Sequence, residues 1–161
     1  MTTWLSDEEM AAWRGMVEVH ASVIAELEAD LLADHGLSSG DYGVLVALSE
    51  APDERLRMCD LASRLHLSPS GLTRRIDGMV KAGLVARTPS PDDRRVMLAE
   101  LTAEGRRLLE RAAPDHVAGV RRAFLDHLDA TQIRNLGGAF AAVSRKRAAR
   151  APEDRADRAV G

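Results

Sequence analysis

A chain of 161 residues that is 45% hydrophobic can bury one sizeable core, and its formal charge of −3 gives no sign of a polyanion partner for the protein as a whole. A single cysteine excludes an intrachain disulfide, no apolar run approaches the length of a membrane span, and the N-terminus lacks the basic start and apolar core of a signal peptide. A cytoplasmic location without membrane contact is the expectation.

The charge is unevenly spread. From Arg64 to Arg95 seven Arg/Lys stand against three Asp, a local +4 that leaves the remainder at −7. A basic island in an acidic chain is the electrostatic footprint of a local nucleic-acid contact.

From the N-terminus, Ser6 and Glu9 have capping-box spacing, so a helix begins near Asp7 and can run to about Ala33, ~40 Å at 1.5 Å per residue. Met10, Val17, Ile24 and Leu31 stand seven apart, with Trp13, His20 and Leu27 at the intermediate positions of the same heptad. Such a seam on a helix that projects past a small core more often meets a partner helix than a ligand. A dimer interface is the economical inference, and packing within one subunit the alternative. His20 reads as a satisfied interface histidine, or as part of an effector pocket or pH-sensitive element. His35 and Gly36 end this helix, and Ser38 can cap the next, Asp41–Glu50, which presents Tyr42, Leu45, Val46 and Leu48. Ala51–Arg57, containing Pro52, reads as a loop.

Cys59 and Asp60 begin a brief helix through Leu65, His66 and Leu67 turn the chain, and Ser68 with Pro69 starts a second helix as N-cap and first helical residue. Leu72, Ile76, Met79 and Val80 recur at helical spacing, and Gly83 follows Ala82 where a left-handed terminal residue is wanted. The opposite stripe carries Ser70, Gly71, Arg74, Asp77, Gly78 and Lys81, flanked by Thr73 and Arg75. A mid-helix glycine costs ~1 kcal/mol relative to alanine. Gly78 therefore either permits close approach to something bulky or is tolerated in an ordinary amphipathic helix. Leu84–Thr88 reads as a strand, Pro89–Asp93 as a turn and Val96–Leu101 as a returning strand, with Arg94 and Arg95 near the hairpin tip. A short helix, a turn and a second helix with a basic outer face make a helix-turn-helix arrangement.

Thr102 can cap a helix whose stripe is Leu109, Ala113, Val117, Val120, Phe124 and Leu128, kinked at Pro114. Asp129 and Gln132 make another capping-box-like start, and Ile133, Leu136, Phe140 and Val143 recur at helical spacing to about Arg150. Residues 151–161, rich in Arg, Asp and Ala, read as a disordered, frayed tail.

The run RMCDLASRLHLSPSGLTRRIDGMVKAGLVARTPSPDDRRVMLAELTAEG resembles the winged helix-turn-helix core of MarR-type bacterial transcriptional regulators. The matching pieces are the DLA helix start at Asp60–Ala62, GLTRRID at Gly71–Asp77, KAGLVAR at Lys81–Arg87, the DRR wing at Asp93–Arg95 and the LTAEG exit at Leu101–Gly105. The resemblance implies a mainly α fold with a small β-hairpin wing. It places a winged helix-turn-helix domain at 36–102 and a helical dimerisation region at 1–35 and 103–150. It further implies a homodimer that sets two recognition helices one DNA turn apart, ~34 Å, on a roughly palindromic double-stranded site. The positions matching the helix that enters the major groove are Ser68, Ser70, Thr73, Arg74 and Arg75. Arg74, on the outward stripe, is the candidate base reader, with Thr73 and Arg75 on phosphates. Asp77, one turn beyond, could hold the Arg74 guanidinium or merely solvate the face. Arg95 matches the family's minor-groove arginine, oriented by Asp93, with Arg94 and Arg87 available for backbone contact.

Members of this family often bind a small aromatic or anionic effector between the dimer helices and the winged domain. Trp13, Met16, His20 and Tyr42 are candidate wall residues, with core packing as the alternative for each. A repressor released by such an effector is the expected mode. Cys59 sits where a capping Ser or Thr would be expected and could act as a thiol switch, although redox-sensing relatives carry their reactive cysteine in the first helix; the alternative is a structural cysteine. His116 and His127, ~16 Å apart along one helix, cannot share a metal ion within one chain, and no ligand cluster or cofactor motif is present. No phosphate-cradling glycine loop, nucleophile elbow or spaced acid/base pair supports an enzyme. The competing class is a protein-interaction module in which the winged helix binds protein and the heptad helix mediates assembly. The basic island and the DRR wing argue against it.

Overall fold

The structure, a computed structural model, describes the backbone of residues 3–157 and the side chains of residues 3–148. It divides into two compact units, Met1–Val120 and Arg121–Gly161. The boundary differs from the expected grouping, because the first helix shares a unit with the winged domain.

Helix α1 (Asp7–His35) opens with the expected capping box and closes at Gly36 in the left-handed conformation, φ 62°. Its heptad seam is split. Leu27 and Leu31 enter the core, whereas Trp13, Val17 and Ile24 remain exposed. Helix α2 (Ser39–Ser49) starts where Ser38 Oγ accepts the Asp41 N–H at 3.1 Å, and it buries Val44, Leu45, Ala47 and Leu48. The segment expected as a loop holds a 3-10 turn at Pro52–Glu54 and then strand β1 (Arg55–Arg57). Asp53 and Glu54 adopt positive φ, 52° and 57°. Ion pairs from Arg55 to Asp53 and from Arg106 to Glu54 hold that turn.

Helix α3 (Met58–Arg64) and helix α4 (Pro69–Lys81) follow, and His66 at φ 54° makes the reversal between them. Strands β2 (Val85–Pro89) and β3 (Met97–Leu101) form the hairpin, and β1 adds to its far edge, giving an antiparallel sheet in the order β1-β3-β2. Leu56 faces Ala99 and Val85 faces Leu101 in this register. The core gathers Leu31, Leu37, Leu45, Leu48, Leu61, Leu72, Ile76, Met79, Val85, Ala99 and Leu101, so α1, α2, α3, α4 and the sheet share one apolar centre. That shared centre fixes which face of α4 points out.

Helix α5 (Ala103–Ala123) is capped by Thr102, whose Oγ1 accepts the Gly105 N–H at 3.0 Å and donates to the Gly83 carbonyl at 2.7 Å. Its stripe does not run on to Leu128 as one helix. Phe124 leaves the helical region at φ −141°, a 3-10 turn spans Leu125–His127, and Leu128 is extended. The reason lies just downstream, where Asp129 and Gln132 exchange side-chain and backbone hydrogen bonds of 2.8 and 2.9 Å and begin α6 (Ala130–Asp157). Helix α6 thus extends into the segment expected to fray, and residues 158–161 lie outside those described. Among the described side chains of residues 121–148, none is fully buried.

Gly105 is buried in the first turn of α5, and a Cβ there would strike the Leu84 carbonyl, a backbone group that cannot swing aside. Gly105→Ala should therefore lower stability by roughly 1–3 kcal/mol. Urea or thermal unfolding reads the loss, and an unchanged midpoint would mean the β2 start yields without cost.

Candidate nucleic-acid interface

Helix α4 is set by its ends and its buried stripe. Ser68 Oγ accepts the Gly71 N–H at 3.1 Å, Pro69 occupies the first helical position, and Gly83 at φ 73° follows the Ala82 cap. Leu72, Ile76 and Met79 are buried, which leaves Ser70, Thr73, Arg74, Asp77, Gly78 and Lys81 exposed on the outer face. A Cβ on Gly78 would meet open space, so nothing within the chain calls for glycine there. The hydroxyls are already engaged locally. Ser68 and Ser70 lie 3.3 Å apart, and Thr73 Oγ1 donates to the Pro69 carbonyl at 2.9 Å, leaving their oxygens able to accept from outside.

The wing is closed by a hydrogen bond of 2.8 Å from the Ser90 N–H to the Val96 carbonyl. Inside it, Asp93 Oδ1 accepts the Arg95 N–H at 3.0 Å, so the aspartate shapes the backbone that presents Arg94 and Arg95, both exposed. Between wing and helix lies a crevice of about 420 Å³ bordered by Cys59, Thr73, Arg87, Arg95 and Met97. Two arginines and a hydroxyl around one open crevice suit an anionic backbone.

Ion pairing sorts the basic island. Arg64 pairs with Glu50, Arg75 with Asp41 at 2.8 Å, and Arg87 with Asp77 at 2.9 Å. Arg74, Lys81, Arg94 and Arg95 carry no ion pair among the described residues. Two expectations change as a result. Asp77 holds Arg87 of β2 rather than Arg74. Arg75, expected at a phosphate, sits on the flank of α4 beside the N-terminus of α2, and its guanidinium turns inward to Asp41 and to Ser38 Oγ at 3.3 Å.

Cys59 is exposed and lies in the second position of α3, not at its cap, which is Arg57; its thiol donates to Asp60 at 3.5 Å. Among the described residues no three His, Cys, Asp or Glu side chains gather as a metal site, and no helix is long and apolar enough to cross a membrane.

The four expected effector-wall residues fall into two groups. Trp13, Met16 and His20 are exposed on the first half of α1, whereas Tyr42 is half-buried and packs against His116 of α5, ring centroids 4.4 Å apart. His116 Nδ1 is buried without a hydrogen-bond partner, and Asp115, the residue before it, meets His35 Nε2 at 3.0 Å. Sequence reading missed the pairing of Tyr42 with His116, since 74 positions of chain separate the two rings.

A family model described as "MarR family" matches residues 35–96. The transcriptional repressor YetL of Bacillus subtilis is 31% identical over 115 residues, which are 70% of this chain and 69% of that protein. Among solved structures, AbsC, a MarR family transcriptional regulator of Streptomyces coelicolor, superposes with a TM-score of 0.85 at 40% identity, covering 90% of this chain and 97% of its own. Sco3205 of the same organism, a MarR family transcriptional regulator in complex with DNA, has a TM-score of 0.85 at 36% identity, covering 91% of each chain.

Burial penalises the charged form of His116 and lowers its pKa from the ordinary 6.5. The unfolded chain therefore binds this proton more tightly than the native one, so stability is full above about pH 6.5 and is lost as pH falls from there through the lowered native value. Between pH 7.5 and 5.5 the wild-type unfolding midpoint should fall further than that of His116→Gln. Equal falls would assign the slope to another group.

Proposed function

The chain belongs to the MarR family of DNA-binding transcriptional regulators, and we propose that it works as a homodimeric repressor in the cytoplasm, reading a roughly palindromic duplex and released by a small aromatic or anionic effector. The observation that carries the DNA-reading geometry is the sorting of the basic island. The cations left without an ion pair are those on the outer face of α4 and at the wing tip, the two places from which a protein can reach a groove and its flanking backbone at once. Arg74 reads a base edge in the major groove, Ser68, Ser70 and Thr73 turn their hydroxyl protons to phosphate oxygens, and Arg94 and Arg95 enter from the wing, shaped by Asp93. Arg87, held on Asp77, borders the crevice beside Arg95.

Dimerisation is supported by what the chain leaves uncovered. Trp13, Met16, Val17 and Ile24 on α1, and Ile133, Phe140 and Val143 on α6, are 40–56% exposed. Large apolar side chains in such density mark an interface, and a second copy buries both sets in an isologous contact. An effector seated against Trp13, Met16, His20 or Tyr42 would shift α1 or α2 and with them the spacing of the two recognition helices. The repressor YetL supports the sign of regulation.

Selection of bound duplexes from a random pool supplies the operator for the test. Arg95→Ala should weaken binding to it without unfolding the dimer and should reduce the salt dependence; unchanged affinity at physiological salt would remove the wing from the interface. Arg74→Ala should relax preference at one base position per half-site by ~1–3 kcal/mol. A uniform loss across sequences would make Arg74 a phosphate anchor instead.

A further inference from the structure

Arg75 follows Arg74 directly, yet the two neighbours face different surroundings. The Arg75 guanidinium lies against the first turn of α2, where Nη1 donates to Asp41 Oδ1 at 2.8 Å and to Ser38 Oγ at 3.3 Å. Gly40 makes the approach possible. A Cβ at that position would land on Nη1, Cζ and Nη2 together, so the flat face of the guanidinium occupies the space a side chain would take. Neither Ser38 nor Asp41 needs the arginine for its own helix, since Ser38 Oγ already caps α2 and a carboxylate in a first turn is favoured by the helix dipole. From the other side, Glu28 of α1 accepts the Ser39 N–H at 2.7 Å. Hydrogen bonding from Ser39 and the charge of Arg75 hold the Glu28 carboxyl below its ordinary range. Three helices therefore meet in one polar knot at the start of α2.

We infer that Arg75 is a positioning residue for DNA recognition, a clasp that ties α4 to Ser38 and Asp41 of α2 over Gly40 and so sets the angle at which Arg74 meets a base. This rests on the reading of α4 as the recognition helix. Packing of α4 against α3 and β2 fixes its buried stripe, and the clasp adds a tie to α2, the helix that Glu28 links to α1. The planar guanidinium is what fits: a lysine ammonium presents no flat face to Gly40 and no fork to span Ser38 and Asp41.

The decisive variant is Asp41→Asn, for which a clasp and a phosphate contact predict opposite signs. If Arg75 served a phosphate, removing an anion beside it would free the guanidinium and tighten binding. With Arg75 as a clasp, Asp41→Asn, Arg75→Ala and Gly40→Ala each weaken binding to the duplex selected by the wild-type protein, by about tenfold. The double variant Asp41→Asn/Arg75→Ala binds no worse than either single one, and Arg75→Lys does not restore affinity. The slope of log affinity against log salt stays at the wild-type value, whereas loss of a phosphate contact would reduce it by about 0.9. Preference at the Arg74 base position relaxes in all three single variants, measured well below their unfolding temperatures so that folded dimer is compared with folded dimer. Tighter binding by Asp41→Asn, or a reduced salt slope in Arg75→Ala, overturns the clasp and leaves the DNA-reading assignment standing. A wild-type protein that selects no duplex overturns both.

Discussion

The rotation of α4 about its own axis is held by three buried side chains, Leu72, Ile76 and Met79, and almost everything proposed for this protein depends on it. At 100° per residue a helix seated by that stripe must show Ser70, Arg74 and Gly78 to the outside. A slip of one position would turn Thr73, Asp77 and Val80, or Gly71, Arg75 and Gly78, toward the core instead, at a cost of several kcal/mol in unpaired charge and lost apolar contact. The core thus does more than stabilise the winged domain. It aims the helix.

A second constraint is the mismatch between the long helices and the core available to them. Helix α1 has 29 residues, but only Leu27 and Leu31 near its C-terminal end are buried. Helix α6 shows no fully buried side chain among those described, yet it displays Ile133 and Phe140. Helices of this kind draw most of their stability from tertiary packing, and in the proposed homodimer a second copy supplies the missing surface. In that proposed dimer an isologous contact would double the recognition helix and fix the spacing of its two copies.

Much of this was legible in the sequence because the signals are local. The Ser6–Glu9 box, the Ser68–Pro69 start, Gly83 beyond α4 and the Asp129–Gln132 start are read from residues within a turn of one another, and each stands where expected. Strand β1 was not legible, since Arg-Leu-Arg has one apolar residue and becomes a strand only by pairing with β3, more than 40 positions away. The same limit explains Arg75, whose partners Ser38 and Asp41 lie 37 and 34 positions upstream. Its type and its place beside Arg74 suggested a phosphate contact, and nothing nearby in sequence announced the carboxylate that claims it. Gly105 carried a weak signal, a glycine inside an expected helix, and Gly40, before the expected helix start, carried none; what each makes room for is a tertiary fact. The local +4 charge overstated the cations open to contact, because ion pairs engage three of its seven.

The claim that joins these features is that two copies of α4, aimed by their cores and spaced by the dimer helices, read one duplex together. Hydroxyl-radical footprinting on a selected duplex tests it most directly. Two protected windows related by a two-fold axis are expected, with centres about 10–10.5 base pairs apart or a multiple of that, each flanked by minor-groove protection from a wing. A single unsymmetrical window the width of one recognition helix would contradict it.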